Sequence, residues 1–231
     1  MLKKFYVLLL VLILVLTGYD AYAKVKNYYR IAEKQRGESN AYVRTRVVQL
    51  FGDDGGRCSG FLVKSKKGRI FILTARHCQS HLFNERMIAA DSKGSLYSVK
   101  VIKVSTVGDV MLLDGFGKTY LELAENNKQF ERVHTIAYHN SRGPYREDGD
   151  CICFSDALPL YAPLTMPCNT SNKAVLGGTM IMSMKVIPGA SGGPILNYKD
   201  QIVGIVSYID YETEYSYSPT LLDIREILKD R

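Results

Sequence analysis

From residue 43 onward the chain is cut into short runs rich in β-branched and aromatic residues. Runs at 43–51, 59–63, 69–73, 87–90, 95–104 and 110–113 are separated by Gly52-Asp53-Asp54-Gly55-Gly56, Lys66-Lys67-Gly68 and Ser92-Lys93-Gly94. A second set follows at 132–138, 151–154, 160–165, 179–186, 194–197 and 202–208. Short strands at regular spacing with turn signals between them predict an antiparallel β barrel or sandwich. A looser stretch near 115–128 marks where one barrel would hand over to another, giving barrels of about 42–115 and 128–218. At the end, Leu221, Leu222, Ile224, Ile227 and Leu228 fall near helical spacing, with Asp223 early and Lys229 late. That pattern predicts an amphipathic C-terminal helix over 220–229. A chain of 231 residues with 46% hydrophobic and 23% charged residues is globular in composition, and β folds of this size occur as single units.

The N-terminus reads differently. Lys3-Lys4, an apolar run from Phe5 to Leu16 and Ala21-Tyr22-Ala23 describe a secretory signal peptide over 1–23. The run is short for a membrane span, which needs about 20 residues, so a membrane is a partner only if the segment is retained as an anchor. Residues 24–41 form a polar, basic leader. The outward-bound reading implies a secreted or periplasmic location where cysteines pair. Net charge is +7, but Lys64, Lys66, Lys67, Arg69, Lys100 and Lys103 are scattered and not interleaved with aromatics. They read as a solvated basic face, and no nucleic-acid partner is expected.

One loop carries chemistry. Pro188-Gly189-Ala190-Ser191-Gly192-Gly193-Pro194 sets a serine among glycines, which let backbone N–H groups aim at a common point. A serine needs a base to take its proton, and histidine suits that role near neutrality. His77 stands in Thr74-Ala75-Arg76-His77-Cys78 at the end of an apolar run; His81, His134 and His139 lack comparable settings. The base needs an orienting carboxylate, and Asp109 leads straight into the apolar Val110-Met111-Leu112-Leu113.

Together these three segments resemble the His, Asp and Ser motifs of the trypsin-like (chymotrypsin-fold) serine proteases, in that family's chain order. Cys58-Ser59-Gly60-Phe61-Leu62-Val63 is similar to the strand before the histidine, and Gly204-Ile205-Val206-Ser207-Tyr208 to the strand lining the cleft. The resemblance spans about 42–230. It implies an all-β fold of two six-stranded antiparallel barrels with a C-terminal helix. It also implies a serine endopeptidase acting on polypeptides, with Ser191 as nucleophile, His77 as general base and Asp109 as its orienting partner. Gly189 and Ser191 N–H groups would form the oxyanion hole. Ser207, Tyr208 and Ile209 would pair with substrate backbone, and Lys185 would sit at the base of the primary pocket. The family bridges the pair matched by Cys58 and Cys78. Cys151, Cys153 and Cys168 remain, and their pairing stays open; Cys151 and Cys153 share a face if that segment is a regular strand. No cofactor is implied, and no metal site is expected, because two-plus-two ligand spacing is missing.

Three departures bear on function. Ala190 replaces the aspartate that, in zymogen-activated members, pairs with a newly cut N-terminus, so no activation cut is expected. With Lys185 where trypsin relatives carry aspartate, cleavage after Arg or Lys is disfavoured. Ile209 in place of a pocket-wall glycine suggests small or aliphatic residues before the cut, and a lysine-floored pocket would instead take acidic ones. Two other classes compete: a catalytically silent binding module of the same fold, and an unrelated esterase. The second is disfavoured because His77 precedes Ser191 and the texture is all-β.

Overall fold

The computed structural model describes residues 36–81, 86–140, 143–156, 168, 171, 173–229 and 231. The signal segment 1–23, most of the 24–41 leader, the strand expected at 160–165 and the His81 side chain lie outside the described residues. The chain divides between Ala41 and Tyr42. A helix, α1 (36–44), is the first described element, and the architecture below concerns 42–231.

The first half is a closed antiparallel barrel of six strands in the order β1-β2-β3-β6-β5-β4. These are β1 (Val47–Phe51), β2 (Arg57–Lys64), β3 (Ile70–Thr74), β4 (Arg86–Ala90), β5 (Leu96–Val104) and β6 (Met111–Asp114). Each falls on one of the expected runs. β2 is buried on both faces from Cys58 to Val63, as expected of a strand held between a barrel interior and a neighbouring layer. Phe61, Phe71, Leu73 and Leu112 fill this core at no more than 1% exposure.

The second half is a sheet in the order β11-β10-β7-β8-β9-β13-β12. Its strands are β7 (Arg132–Tyr138), β8 (Pro144–Ser155), β9 (Thr179–Met182), β10 (Pro194–Asn197), β11 (Ile202–Ile205), β12 (Tyr208–Ile209) and β13 (Ser216–Pro219). Seven strands stand where six were expected, for a simple reason. The two ends of the order, β11 and β12, are one run of chain interrupted only by Val206 and Ser207, and Ser207 N–H donates to Tyr217 O at 3.1 Å. The sheet returns on itself through that run. The fold is thus the mostly β, chymotrypsin-like architecture. Its C-terminal helix, α2 (Leu221–Leu228), buries Leu221, Ile224, Ile227 and Leu228. Asp223 fixes its start by accepting the N–H groups of Thr220 and Gly177 at 2.8 and 2.7 Å.

The cysteines resolve into Cys58–Cys78, Cys153–Cys168 and a buried free Cys151. A bulge explains the choice. Cys151 pairs with Met182 while Cys153 pairs with Ile181, so an extra residue lies between them and the alternation is broken. Cys151 consequently packs with Met180 and Met182 in the core, whereas Cys153 lies with Ile181 and Tyr217. The expectation that the two share a face assumed an unbulged strand.

Candidate active site

Strand register brings the base and the carboxylate together. Thr74 at the end of β3 pairs with Met111 at the start of β6 in an antiparallel ladder. His77, three residues past one, and Asp109, two before the other, therefore emerge at the same end. His77 belongs to a 3-10 turn, Arg76–His81, anchored by the disulfide from the buried Cys78 to Cys58 on β2. The opposing turn is shaped by Ser105, whose hydroxyl accepts the N–H groups of Val107 and Gly108 at 3.3 and 3.1 Å. Arg76 Nη1 donates to Ser105 O at 3.3 Å and ties the two turns.

Asp109 is buried and receives three donors. His77 N–H donates to Oδ1 at 2.8 Å, the His77 ring Nδ1–H to Oδ2 at 2.8 Å, and Ser207 Oγ–H to Oδ2. Burial alone would lift this carboxyl. The hydrogen bond and charge of the His77 ring, the Ser207 hydroxyl and the His77 amide outweigh it and hold Asp109 below the usual aspartate value. With Nδ1 donating to Asp109, Nε2 is the ring nitrogen left to exchange a proton with a substrate or a nucleophile.

Ser191 lies half-buried in the loop between β9 and β10. It lines one cleft of about 630 Å³ together with His77, Gly189, Ser207, Tyr208 and Ile209. The loop's amide groups are almost all used internally: Ala190 N–H donates to Ile187 O, Gly192 N–H to Val206 O and Gly193 N–H to Ala190 O. Among the described residues, the N–H groups left without an acceptor in this stretch are those of Gly189 and Ser191. Asn140 N–H donates to Pro188 O at 3.3 Å, and in a trans peptide this turns the Gly189 N–H away from Asn140. Gly189 adopts φ +95°, which glycine tolerates and other residues rarely do.

Ser59, so far only one residue of the strand motif 58–63, has a role that its neighbours in the chain do not reveal. Fully buried on β2, it accepts Tyr138 N–H at its hydroxyl (2.9 Å) and donates the hydroxyl to Gly189 O at 2.8 Å. Its own N–H donates to Ser191 O at 2.7 Å, and its carbonyl accepts Thr74 Oγ1–H at 2.7 Å. One side chain thereby fixes the serine loop to the first barrel. Ser59→Ala strands a buried N–H and a buried carbonyl, and is expected to cost about 2 kcal/mol. Thermal unfolding of the two proteins measures the difference; an unchanged midpoint would rule the anchor out.

Other expected site residues fall in different places. Ser207, Tyr208 and Ile209 line the cleft, and Ser207 also adds the side-chain contact to Asp109. Lys185 does not floor the pocket. Residues 182–186 alternate, with Met182, Met184 and Val186 buried, which turns Ser183 and Lys185 outward. The Lys185 side chain is 61% exposed and paired with Glu214. The acidic-residue hypothesis loses its cation, and the nearby walls are the apolar Val186, Val206 and Ile209. His134 is buried on β7, with Nε2 3.1 Å from Asp200 Oδ1. Among the described residues no cluster of three or more His, Cys, Asp or Glu could hold a metal ion.

The sequence matches the trypsin-like peptidase domain family over residues 58–205. Among solved structures, the chain is similar to the active form of the Rv3671c protease from M. tuberculosis, with 16% identity, 82% of each chain covered and a TM-score of 0.65. The inactive form of that protease aligns with 17% identity over 82% of this chain and 90% of the other, TM-score 0.62. Deg5 aligns with 15% identity over 84% of this chain and 92% of the other, TM-score 0.63. At these identities the structural likeness speaks for the fold. Comparison with curated proteins yields no match.

Proposed function

The chain belongs to the trypsin-like peptidase family, and from that premise we propose that it is a serine endopeptidase working through Ser191, His77 and Asp109. The observation that carries this reading is the His77 ring held through Nδ1 by Asp109 on the cleft that Ser191 lines. Nε2 takes the Ser191 proton as Oγ attacks the substrate carbonyl, and later returns it to the leaving amine. Asp109, kept ionised, holds the ring tautomer and stabilises the imidazolium. The unpartnered N–H groups of Gly189 and Ser191 receive the developing oxyanion, each worth about 3–4 kcal/mol in the transition state. An acyl-enzyme forms and water resolves it. Substrate backbone pairs with the edge at 207–209 as an added strand.

Apolar walls and Ile209 favour small or aliphatic residues before the cut. Ala190 is fully buried in the second core and offers no carboxylate to a new N-terminus, so the enzyme needs no activation cut. Two disulfides suggest an extracytoplasmic location, and the signal segment accords with secretion. Among the described residues no helix is long and apolar enough to cross a membrane.

A fluorophosphonate probe tests the reading. It is expected to label the folded protein at one residue, Ser191, and to lose that label in Ser191→Ala. A folded protein that resists labelling and cleaves no peptide library would instead point to the binding module.

A further inference from the structure

We infer that Arg57 selects substrates carrying a carboxylate on the leaving-group side of the cut bond; this rests on the peptidase reading above. Arg57 is the first residue of β2, exposed, and lines the same cleft as His77, Gly189 and Ser191. No Asp or Glu lines that cleft among the described residues, and its one permanent charge is the Arg57 guanidinium. Asp54, in the preceding turn, accepts Gly56 N–H at 2.8 Å and lies outside the lining.

The guanidinium is aimed, not loose. Its Nη1 donates to Asn140 O, and its Cζ lies over the Phe51 ring, 5.5 Å from the centroid. Asn140 is the residue whose N–H turns Pro188 O, next to the Gly189 amide. The remaining guanidinium N–H groups have no protein acceptor among the described residues. An arginine fork held on one side presents its other donors to a carboxylate with matching geometry.

Position in the cleft fixes which half of the substrate is read. The acyl half lies along 207–209, on β12 and the run before it. Arg57 belongs to the other end: it adjoins Cys58, whose disulfide partner Cys78 follows His77, with the two cysteine Cα atoms 6.3 Å apart. A chain crossing Ser191 from the 207–209 edge leaves over this disulfide, past Asn140 and Arg57. With the acyl half on the 207–209 edge, the leaving group is the half that meets the Arg57 guanidinium.

The test uses quenched fluorescent peptides with amidated C-termini and one acyl half, carrying Ala, Glu or Lys at each of the first few positions after the cut. Active enzyme is counted by fluorophosphonate titration. In the wild type, Glu at one of these positions raises kcat/KM about three- to ten-fold over Ala, the range of a partly exposed charge-assisted contact. The gain shrinks at high ionic strength, disappears in Arg57→Ala and turns into a preference for Lys in Arg57→Glu. A parallel set of Ala peptides ending in a free carboxylate separates a chain terminus from a side chain as the group bound. Titratable enzyme with no acidic preference, or with a preference that survives Arg57→Ala, overturns the inference and leaves the peptidase standing. Protein that neither titrates nor cleaves any peptide fails the peptidase reading, and this inference with it.

Discussion

His77→Ala and Ser191→Ala each lower kcat by about six orders of magnitude, and the double variant is only marginally slower than either. The reason is that the two groups perform one event. A hydroxyl without a base to receive its proton is no better a nucleophile than a missing hydroxyl, so the second deletion removes nothing that still works. In the proposed mechanism what survives, about 10³–10⁴ over water, comes from substrate binding and from the Gly189 and Ser191 N–H groups, which neither substitution removes. Asp109→Asn is milder, at about 10⁴ in kcat, because an amide puts a donor where the Nδ1–H and Ser207 hydroxyl need an acceptor. Steady-state rates on one peptide amide, normalised to folded protein by circular dichroism, decide the matter. Losses that multiply in the double variant would mean that the two residues act independently and that the proposed proton transfer is wrong.

Gly192→Ala unfolds the serine loop from its seat. Gly192 has φ +84°, and an added Cβ would stand 2.1 Å from Thr74 Oγ1 and 2.2 Å from Ser59 O. These are the two partners in a side-chain hydrogen bond that adds to the β2–β3 ladder, so neither can retreat without breaking it. The left-handed backbone costs a side-chain-bearing residue about 1–2 kcal/mol, and relief of the overlap adds about 1–3 kcal/mol. The expected drop in Tm is about 10 °C, taking about 2–4 °C per kcal/mol for a domain of this size. Gly117 supplies the control: φ is +76° and nothing lies within 4 Å of its added Cβ. Gly117→Ala should carry the backbone penalty alone. If the two variants melt together, close approach is not what requires glycine at 192.

The barrel strands and the residues gathered at the candidate site were legible for different reasons. Strands β1 to β6 are apolar runs between turn clusters, and local composition marks them. β8 begins with the polar Pro144-Tyr145-Arg146-Glu147-Asp148-Gly149-Asp150, and β13 is Ser216-Tyr217-Ser218-Pro219. Neither looks like a strand, because their pairing is settled by neighbours far along the chain. At the site, His77, Asp109 and Ser191 stand in motifs of their own. The hydroxyl contacts of Ser59 and Ser207 could not be read from the segments that hold them: a serine side chain acquires its role from what folding brings opposite it. Lys185 shows the reverse case, a residue placed by alignment to a motif and turned outward by the alternation of Met184 and Val186.

The bulge in β8 has a consequence for how this chain acquires its covalent bonds. By turning Cys151 into the core while Cys153 stays with Tyr217, it sorts two neighbouring thiols into different fates. Burial, followed by the nearby Glu131 charge, pushes the Cys151 thiol up to about 12. In the folded chain little of it is thiolate at neutral pH, which makes it a poor partner in thiol–disulfide exchange. Once β8 and β9 pair, the choice of partner for Cys168 is no longer a competition between equals. A single inserted residue thus separates two thiols that lie two positions apart, leaving Cys153 bonded to Cys168 and Cys151 enclosed in the core.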